Sequence, residues 1–236
     1  MRKIVYAHDD IKADQGLFFG KGLFETILVK EEIEFLEEHI KRLKDSLNII
    51  KLEPLNEENI LKDAINNMNL KNTSLKITVT PSYIILTTRD IPYKDSDYKA
   101  GFKLKVSHVL RNSTSILPKI KSTCYIENII EKEKAKEEGF NDCIFLNEKG
   151  FITETSAANI FMIKDEKVYT PKIECGLLPG IIRDKIIEKY SVIEKEITLD
   201  ELKTADHVFL SNSLMKIMNV VSIEEKVYKV KNDLSI

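Results

Sequence analysis

Short stretches of the chain alternate apolar and polar residues, and this two-residue period predicts β-strands. Residues 102–106 read Phe-Lys-Leu-Lys-Val, the pattern of a strand that buries one face. Turn-forming residues inside longer stretches predict strand-turn-strand units at 23–36, 75–88, 142–153, 159–170 and 208–220. Residues 4–6 predict a short opening strand. The sequence therefore predicts a protein rich in antiparallel sheet.

Apolar residues at helical spacing mark helices between these strands. The first predicted helix carries an apolar stripe made of Leu36, Ile40, Leu43 and Leu47. The second is expected to begin with Asn56 as its N-cap, the third to run from residue 125 to Gly139, and the fourth to cover 181–190. The polar residues 90–100 are expected to form a loop that crosses to a second half of the molecule.

Composition limits the size and class of the protein. The chain has 236 residues, of which 43% are hydrophobic, enough for a substantial core in one large or two small domains. The formal charge is only -2 and acidic residues are interleaved with basic ones, which excludes a nucleic-acid-binding stripe. The glycine-containing loop 16–22 is not a nucleotide-binding P-loop, because its spacing is too short and no Ser or Thr follows Lys21.

The cysteines and the apolar runs limit cofactors and location. Cys124, Cys143 and Cys175 are widely spaced and form no Cys-x-x-Cys pair, so we expect reduced packing residues and no metal site. The apolar run after Arg2 and Lys3 is far too short for a signal core or a membrane span. A cytoplasmic protein without a membrane or nucleic-acid partner is expected.

Two charged residues fall at the ends of predicted elements. Lys121 lies between the strand at 102–106 and the third helix, and Glu154 ends a hairpin strand. Side chains at such positions can converge on a cleft. A lysine is nevertheless usually a surface residue, because its hydrated ammonium is rarely buried unpaired. Spacing alone therefore does not make Lys121 a functional residue.

Five segments in order resemble the class IV aminotransferases, the pyridoxal-phosphate enzymes of fold type IV. They are the N-terminal signature FFGKGLFET at 18–26, the phosphate-arginine helix EHIKRL at 38–43, the lysine segment IKS at 120–122, the glutamate segment at 150–161 and the phosphate-cup turn GLLPGIIR at 176–183. Their order and spacing make the resemblance specific.

The resemblance implies a fold and an assembly. It implies a two-lobed α+β enzyme with an N-terminal α/β sandwich at 1–112 and a cofactor-binding lobe at 113–236. The second lobe is expected to be a mostly antiparallel β domain with flanking helices. A homodimer acting on a small-molecule amine is expected as well.

The resemblance also implies roles for individual residues. Lys121 would hold pyridoxal phosphate as a Schiff base and then remove the substrate's α-proton, while anionic Glu154 would keep the pyridine nitrogen protonated. Thr26 would lie near the reacting ring. The expected cofactor-binding residues are Lys121, Glu154, Asn159, Arg42, Ser213 and the main-chain amides of Ile181 and Ile182.

The chain departs from the family between the strands at 75–80 and 83–88. Many members have a longer Arg- and Gly-rich loop there, with a basic residue for the substrate carboxylate, whereas this chain has only Pro81-Ser82-Tyr83. Arg89 and Arg111 are candidates to replace that charge, the alternative being that both are solvated loop arginines.

The amino-acid sequences of two segments bear on which reaction is expected. Residues 24–26 and 212–215 are most similar to those of aminodeoxychorismate lyases, so we expect conversion of 4-amino-4-deoxychorismate to 4-aminobenzoate and pyruvate, toward folate. Two alternatives stay open. One is a class IV amino-acid aminotransferase of the branched-chain or D-amino acid type. The other is a non-catalytic binding protein, which would show no visible absorption band of the cofactor.

Overall fold

The computed structural model describes residues 1–230, which divide into two compact units. Unit 1 comprises residues 1–92 and 120–124, and unit 2 comprises 93–119 and the residues from 125 onward. The expected boundary after residue 112 falls inside unit 2, because the strand at 102–111 pairs with strands of that unit. Residues 231–236 of the expected second lobe lie outside the described residues.

Unit 1 is built on a mixed four-stranded sheet with strand order β1-β4-β3-β2. Its elements are β1 (Lys3–Tyr6), α1 (Gln15–Phe19), β2 (Leu23–Val29), α2 (Leu36–Ile49), α3 (Glu58–Asn67), β3 (Thr73–Val79) and β4 (Tyr83–Arg89). β1 runs parallel to β4, and the other two pairings are antiparallel. The apolar stripes of α2 and α3 are buried in one core with the sheet, as their helical spacing predicted.

Two local predictions for unit 1 are wrong. β2 pairs with β3 along its whole length rather than with a strand at 33–36, where Ile33 makes only an isolated bridge to Val29. At the end of that stretch, Leu36 is instead the first residue of α2 and Phe35 is its N-cap. The second predicted helix begins at Glu58 with Glu57, not Asn56, in the cap position. The Glu57 carboxylate accepts a hydrogen bond from the backbone N–H of Arg2, 2.6 Å away.

Unit 2 contains six strands that close into a ring. In order around the ring these are β8, β11, β12, β5, β6 and β7, and the pairing of β7 with β8 closes it. The strands of the unit are β5 (Phe102–Arg111), β6 (Asp142–Asn147), β7 (Ile152–Thr155), β8 (Asn159–Lys164), β9 (Lys167–Pro171), β10 (Val192–Lys195), β11 (His207–Asn212), β12 (Lys216–Ile223) and β13 (Lys226–Val227). β9 and β10 extend the sheet beyond β8. Antiparallel pairings predominate among the described strands, as expected.

Unit 2 has four α-helices among the described residues, and two of them differ from the sequence-based expectations. They are α4 (Asp95–Ala100), α5 (Ile126–Glu137), α6 (Ile181–Lys189) and α7 (Leu199–Lys203). α4 lies within the segment expected to be a loop. α5 forms as predicted and ends before Gly139, but its isoleucines Ile126, Ile129 and Ile130 are exposed, and its buried residues are Glu131 and Ala135. Within residues 1–230, every helix is too short or too polar to cross a lipid bilayer.

Candidate active site

Residues 120–124 place Lys121 beside the start of β2 in unit 1. The backbone N–H of Phe24 donates to the carbonyl oxygen of Lys121 at 2.8 Å, and that of Thr123 donates to Gly22 at 2.9 Å. Ser122 forms a β-bridge with Leu23, and Ile120 is buried in the core of the unit. The lysine segment is therefore attached to the same strand that carries Phe24, Glu25 and Thr26.

The aromatic ring of Phe24 lies beneath two amines. The Nζ atoms of Lys121 and Lys76 are 4.5 Å and 4.6 Å from the ring centroid, within the range of cation–π contact. Thr26 lies two residues further along β2, on the same face as Phe24, and its register partner on β3 is Lys76. The face around Phe24 thus combines an aromatic ring, a hydroxyl and two lysines.

Lys76 is a candidate site residue that sequence reasoning missed. Burial, and then the charge of Arg89, lower the pKa of Lys76. No carboxylate among the described residues lies within ion-pair distance of its amine. In the sequence it stands between Leu75 and Ile77, an alternation typical of a solvated strand face. Its position opposite Thr26 depends on the pairing of β2 with β3, which the local pattern did not reveal.

Arg42 belongs to a buried cluster of three charged or polar side chains. Its Nε lies 2.8 Å from Glu25 Oε1 and its NH2 group 2.6 Å from Glu25 Oε2. His39 Nδ1 lies 2.7 Å from Glu25 Oε2. Burial alone would raise the pKa of Glu25, but the charge and hydrogen bonds of Arg42, with His39, lower it to about 2. Glu25 is therefore ionised at neutral pH.

In unit 2, Glu154 lies where the ring of strands closes. The β7–β8 pairing matches Glu154 with Asn159. Glu154 Oε2 accepts hydrogen bonds from the Leu178 N–H at 3.2 Å and from Asn159 Nδ2 at 3.4 Å, and Asn159 Nδ2 also donates to the Leu178 carbonyl oxygen at 2.8 Å. These contacts hold the carboxylate of Glu154 in one orientation beside the loop that precedes α6.

Helix α5 supports the turn that follows Glu154. The Tyr125 hydroxyl and Asn128 Nδ2 both donate to the carbonyl oxygen of Ser156, the latter at 2.7 Å. Burial, followed by the charge of Glu154, raises the pKa of Tyr125, so its hydroxyl remains a donor at neutral pH. Arg111 in turn donates to Asn128 Oδ1 at 2.7 Å. The turn is therefore fixed by side chains from the helix that follows the lysine segment.

The two arginines proposed for a substrate carboxylate occupy different surroundings. Arg111 is buried, with its guanidinium 3.7 Å from the Phe145 ring centroid and hydrogen-bonded to Glu127 and Asn128. Those contacts give Arg111 a structural role in unit 2 that needs no substrate. Arg89 is exposed at the end of β4 in unit 1, where its charge acts on Lys76.

The N-terminus of α6 has the features of an anion site. No side chain among the described residues caps this helix, so the amides of Ile181 and Ile182 in its first turn are not used by a cap. The preceding Gly180 lies so close to Asn159 that a Cβ there would be 2.1 Å from Asn159 Oδ1. A residue larger than glycine would therefore displace the side chain that holds Glu154.

Nearby hydroxyls add unsatisfied donors. Ser156 Oγ and Ser211 Oγ are buried without a hydrogen-bond partner in residues 1–230, and Ser211 is the register partner of Asn159. Asn212 Oδ1 accepts from the N–H groups of Leu214 and Met215, both at 2.9 Å, which fixes the turn that carries Ser213. Uncapped amides, spare hydroxyls and an oriented carboxylate fit the phosphate and the ring nitrogen of the cofactor implied by the sequence.

The cysteines show no features of a nucleophile. Cys143 and Cys175 are buried packing residues, and burial raises the pKa of the Cys143 thiol to about 12. Cys124 is exposed, in contrast to the packing residue expected from the sequence. Its Sγ lies 3.4 Å from the carbonyl oxygen of Gly20.

Comparison with known proteins identifies relatives across most of the chain. The family model described as amino-transferase class IV matches residues 22–223. An aminodeoxychorismate lyase of Bacillus subtilis is 28% identical, over 91% of this chain and 82% of its own length. A branched-chain-amino-acid aminotransferase of Pseudomonas aeruginosa is 27% identical, over 88% of this chain and 78% of its own length. Sequence identity of this size does not separate the two activities.

A solved structure shares the fold. The 4-amino-4-deoxychorismate lyase of Pseudomonas aeruginosa superposes with a TM-score of 0.86 at 22% identity, covering 96% of this chain and 92% of that one. The α+β fold of type IV, expected from the sequence, is thereby confirmed.

The contact between Gly180 and Asn159 yields a stability prediction. Gly180 has φ of -79°, which any residue adopts, so Gly180→Ala should act only through the clash with Asn159. We expect it to lower the free energy of unfolding by about 1–3 kcal/mol, as overpacking does. The measurement is urea unfolding followed by circular dichroism. In an Asn159→Ala background the same substitution should cost much less, and an equal cost in both backgrounds would contradict the prediction.

Proposed function

We propose that the chain, which belongs to the class IV aminotransferases, is a lyase. It would convert 4-amino-4-deoxychorismate to 4-aminobenzoate and pyruvate. Membership of this family makes the chain an enzyme of a pyridoxal-phosphate-dependent class that acts on small amino compounds. The reaction divides one substrate into two products and needs no amino acceptor.

The observation that carries the choice of lyase is the face around Phe24. Thr26 places a hydroxyl there, on the same face as the ring above which the amine of Lys121 lies. An aromatic floor suits a cyclic substrate with an amine on the ring, and a hydroxyl beside the amine can donate or accept a proton. The turn at 212–215, whose sequence is similar to that of the lyases, further supports the lyase proposal.

The proposed cofactor roles fall on the residues that the family resemblance implied. In our proposal Lys121 binds the cofactor covalently and its Nζ then carries the substrate's α-proton, while Glu154 holds a proton on the pyridine nitrogen. Arg42, Ser213 and the amides of Ile181 and Ile182 would bind the phosphate, and Asn159 would keep Glu154 oriented. When bound, pyridoxal phosphate supplies an electron sink for the carbanion.

Lys76 is the residue we propose for a substrate carboxylate. It is partly buried, it shares the Phe24 ring with Lys121, and no counter-ion among residues 1–230 pairs with it. A carboxylate bound there would supply that counter-ion. The turn at Thr80–Tyr83, which replaces the longer loop of many relatives, is closed by a hydrogen bond of 2.9 Å and contains no basic residue. Arg89 is the second candidate, since it lies near enough to act on Lys76.

An amino-acid aminotransferase is the second candidate function. The similarity to a branched-chain aminotransferase covers 88% of the chain, close to the 91% covered by the similarity to a lyase. All the cofactor-binding roles proposed above apply to both reactions, so only the fate of the substrate separates them.

We predict that the purified protein with pyridoxal phosphate releases 4-aminobenzoate and pyruvate from 4-amino-4-deoxychorismate without an amino acceptor. Lys121→Ala should lower that rate about a thousandfold or more, because it removes the covalent anchor and the base. Fluorescence of 4-aminobenzoate measures the rate. Lys71→Ala, an exposed lysine of unit 1, is the control and should remain active. Transfer of an amino group from an amino acid to 2-oxoglutarate, without lyase turnover, would replace the lyase proposal with the aminotransferase.

A separate prediction concerns Lys76. Lys76→Met keeps the aliphatic stem over Phe24 but removes the charge, so it should raise KM for the anionic substrate about tenfold or more while cofactor binding changes little. Steady-state kinetics and cofactor titration measure the two effects. Arg89→Met and Arg111→Met are the comparisons. If Arg89→Met raised KM and Lys76→Met did not, the carboxylate would be assigned to Arg89.

We also propose that the protein is a homodimer that covers the exposed isoleucines of α5. Ile126, Ile129 and Ile130 form a stripe at helical spacing and are 65%, 44% and 42% exposed. Leu110 and Leu117 of the same unit are also about half exposed, at 55% and 49%. Exposed apolar side chains in such numbers favour contact with another protein surface, and a second copy of the same chain is the commonest partner of an enzyme.

The assembly prediction is tested by the double substitution Ile129→Glu and Ile130→Glu. Placing two like charges in a self-complementary interface should convert the dimer to monomer, as measured by light scattering after gel filtration. Ile60→Glu is the matched control, because Ile60 on α3 is 53% exposed and outside the stripe. A dimer that survives the double substitution would place the interface elsewhere.

A further inference from the structure

Glu25 occupies a position where the strand pattern calls for an apolar residue. Its neighbours on the same face of β2, Leu23 and Ile27, are in the core of unit 1, and Glu25 itself is 1% exposed. Burying an ionised carboxylate costs several kcal/mol unless it is paired and hydrogen-bonded. Such a residue is retained at a cost to the core, which points to a task that a leucine could not perform.

That task is indicated by the geometry of the pair. Glu25 binds the Nε and NH2 edge of the Arg42 guanidinium through both carboxylate oxygens, at 2.8 Å and 2.6 Å. A two-point contact between planar groups fixes the plane of the guanidinium as well as its distance. The Arg42 side chain is 13% exposed whereas that of Glu25 is 2% exposed, so the arginine extends from the buried carboxylate toward the surface of unit 1.

His39 contacts the same oxygen of Glu25 that the Arg42 NH2 group binds. It lies one turn before Arg42 on α2, is 1% exposed, and contacts Glu25 Oε2 through Nδ1 at 2.7 Å. Burial lowers its pKa, and Nε2 has no partner among residues 1–230. A neutral ring that donates from Nδ1 explains both facts, because an unpaired Nε2 acceptor costs less than an unpaired N–H donor.

We propose that Glu25, supported by His39, is the positioning residue that presets Arg42 for the phosphate of the cofactor. This inference rests on the proposed function, in which Arg42 binds that phosphate. Glu25 also offsets the charge of Arg42, so the pair contributes orientation rather than net positive charge. Removing Glu25 would therefore change phosphate affinity in two opposite directions, lowering it through lost orientation and raising it through lost negative charge. A cluster that acted by charge alone would bind phosphate more tightly without Glu25, whereas a cluster that acts by orientation binds it more weakly.

The test is the affinity of Glu25→Gln for pyridoxal phosphate compared with pyridoxal, which lacks the phosphate. Both dissociation constants are measured by the absorbance and fluorescence of the bound aldehyde, without substrate. We expect affinity for pyridoxal phosphate to fall about tenfold or more while affinity for pyridoxal stays within about twofold. A general loosening of the fold would weaken both ligands together. Tighter binding of pyridoxal phosphate, or equal losses for both ligands, would overturn the proposal.

Glu57→Gln is the matched control. Glu57 is a second buried glutamate of unit 1 that pairs with a buried arginine, Arg2, at 3.7 Å. Its substitution imposes a similar loss on the fold and should leave the ratio of the two affinities unchanged. If Glu25→Gln does not fold, as judged by thermal unfolding, His39→Gln serves in its place, with a smaller loss in the same direction. An unchanged ratio in His39→Gln would then count against the proposal.

Arg42→Ala separates this inference from the proposed function. If Arg42→Ala leaves the ratio of affinities unchanged, Arg42 does not bind the phosphate and the proposed cofactor role of Arg42 fails. If Arg42→Ala changes the ratio and Glu25→Gln does not, the cofactor role stands and the positioning role of Glu25 is wrong.

Discussion

Backbone hydrogen bonds between the segment 120–124 and the start of β2 are the constraint on which the chemistry of unit 1 depends. They place Lys121 beside Phe24 although almost a hundred residues separate the two in the chain. A hydrogen bond of this kind contributes only about 1 kcal/mol on balance. The position is nevertheless well determined, because Ile120 is anchored in the core and Ser122 extends the sheet by a bridge to Leu23. One strand, β2, thus organises the lysine, the aromatic ring, the hydroxyl and the buried carboxylate.

Unit 2 fixes its carboxylate by a different device. The ring of strands closes at Glu154 and Asn159, so the geometry of Glu154 is set by the requirement that β7 reach both β6 and β8. Asn159 then connects that seam to the loop before α6, and its Oδ1 occupies the space that a Cβ at residue 180 would need. The carboxylate and the uncapped helix terminus are therefore coupled through one amide side chain. A site built on closed sheet in this way needs little reorganisation when a ligand binds.

Local patterns in the sequence predicted the elements well and their partners poorly. The alternation in β3 and β4, the apolar runs of β6 and β8, and the stripes of α2 and α3 identified those elements, because each buries apolar side chains within its own unit. The hairpin at 23–36 was wrong because β2 has a distant partner, β3, that a local turn signal cannot reveal. Lys76 and Glu25 were missed as candidate site residues for the same reason, since the contacts on which their proposed roles depend come from that pairing and from α2. The exposed stripe of α5 shows that helical spacing identifies a helix without saying which face is covered.

Unit 1 presents two kinds of cation, and their surroundings suit different ligands. Arg42 is held by a carboxylate at two points and has its charge offset, so what it offers is a fixed direction. Lys76 is partly buried and has a flexible side chain. No carboxylate among residues 1–230 pairs with its amine, so it offers an uncompensated charge. A ligand that stays in place through many reaction cycles gains most from fixed geometry, because the cost of ordering the arginine is met once, during folding. A ligand that enters and leaves in every cycle gains more from a charge that attracts it and a side chain that can follow it. This reasoning supports the proposal that the arginine binds the resident cofactor and the lysine binds the substrate.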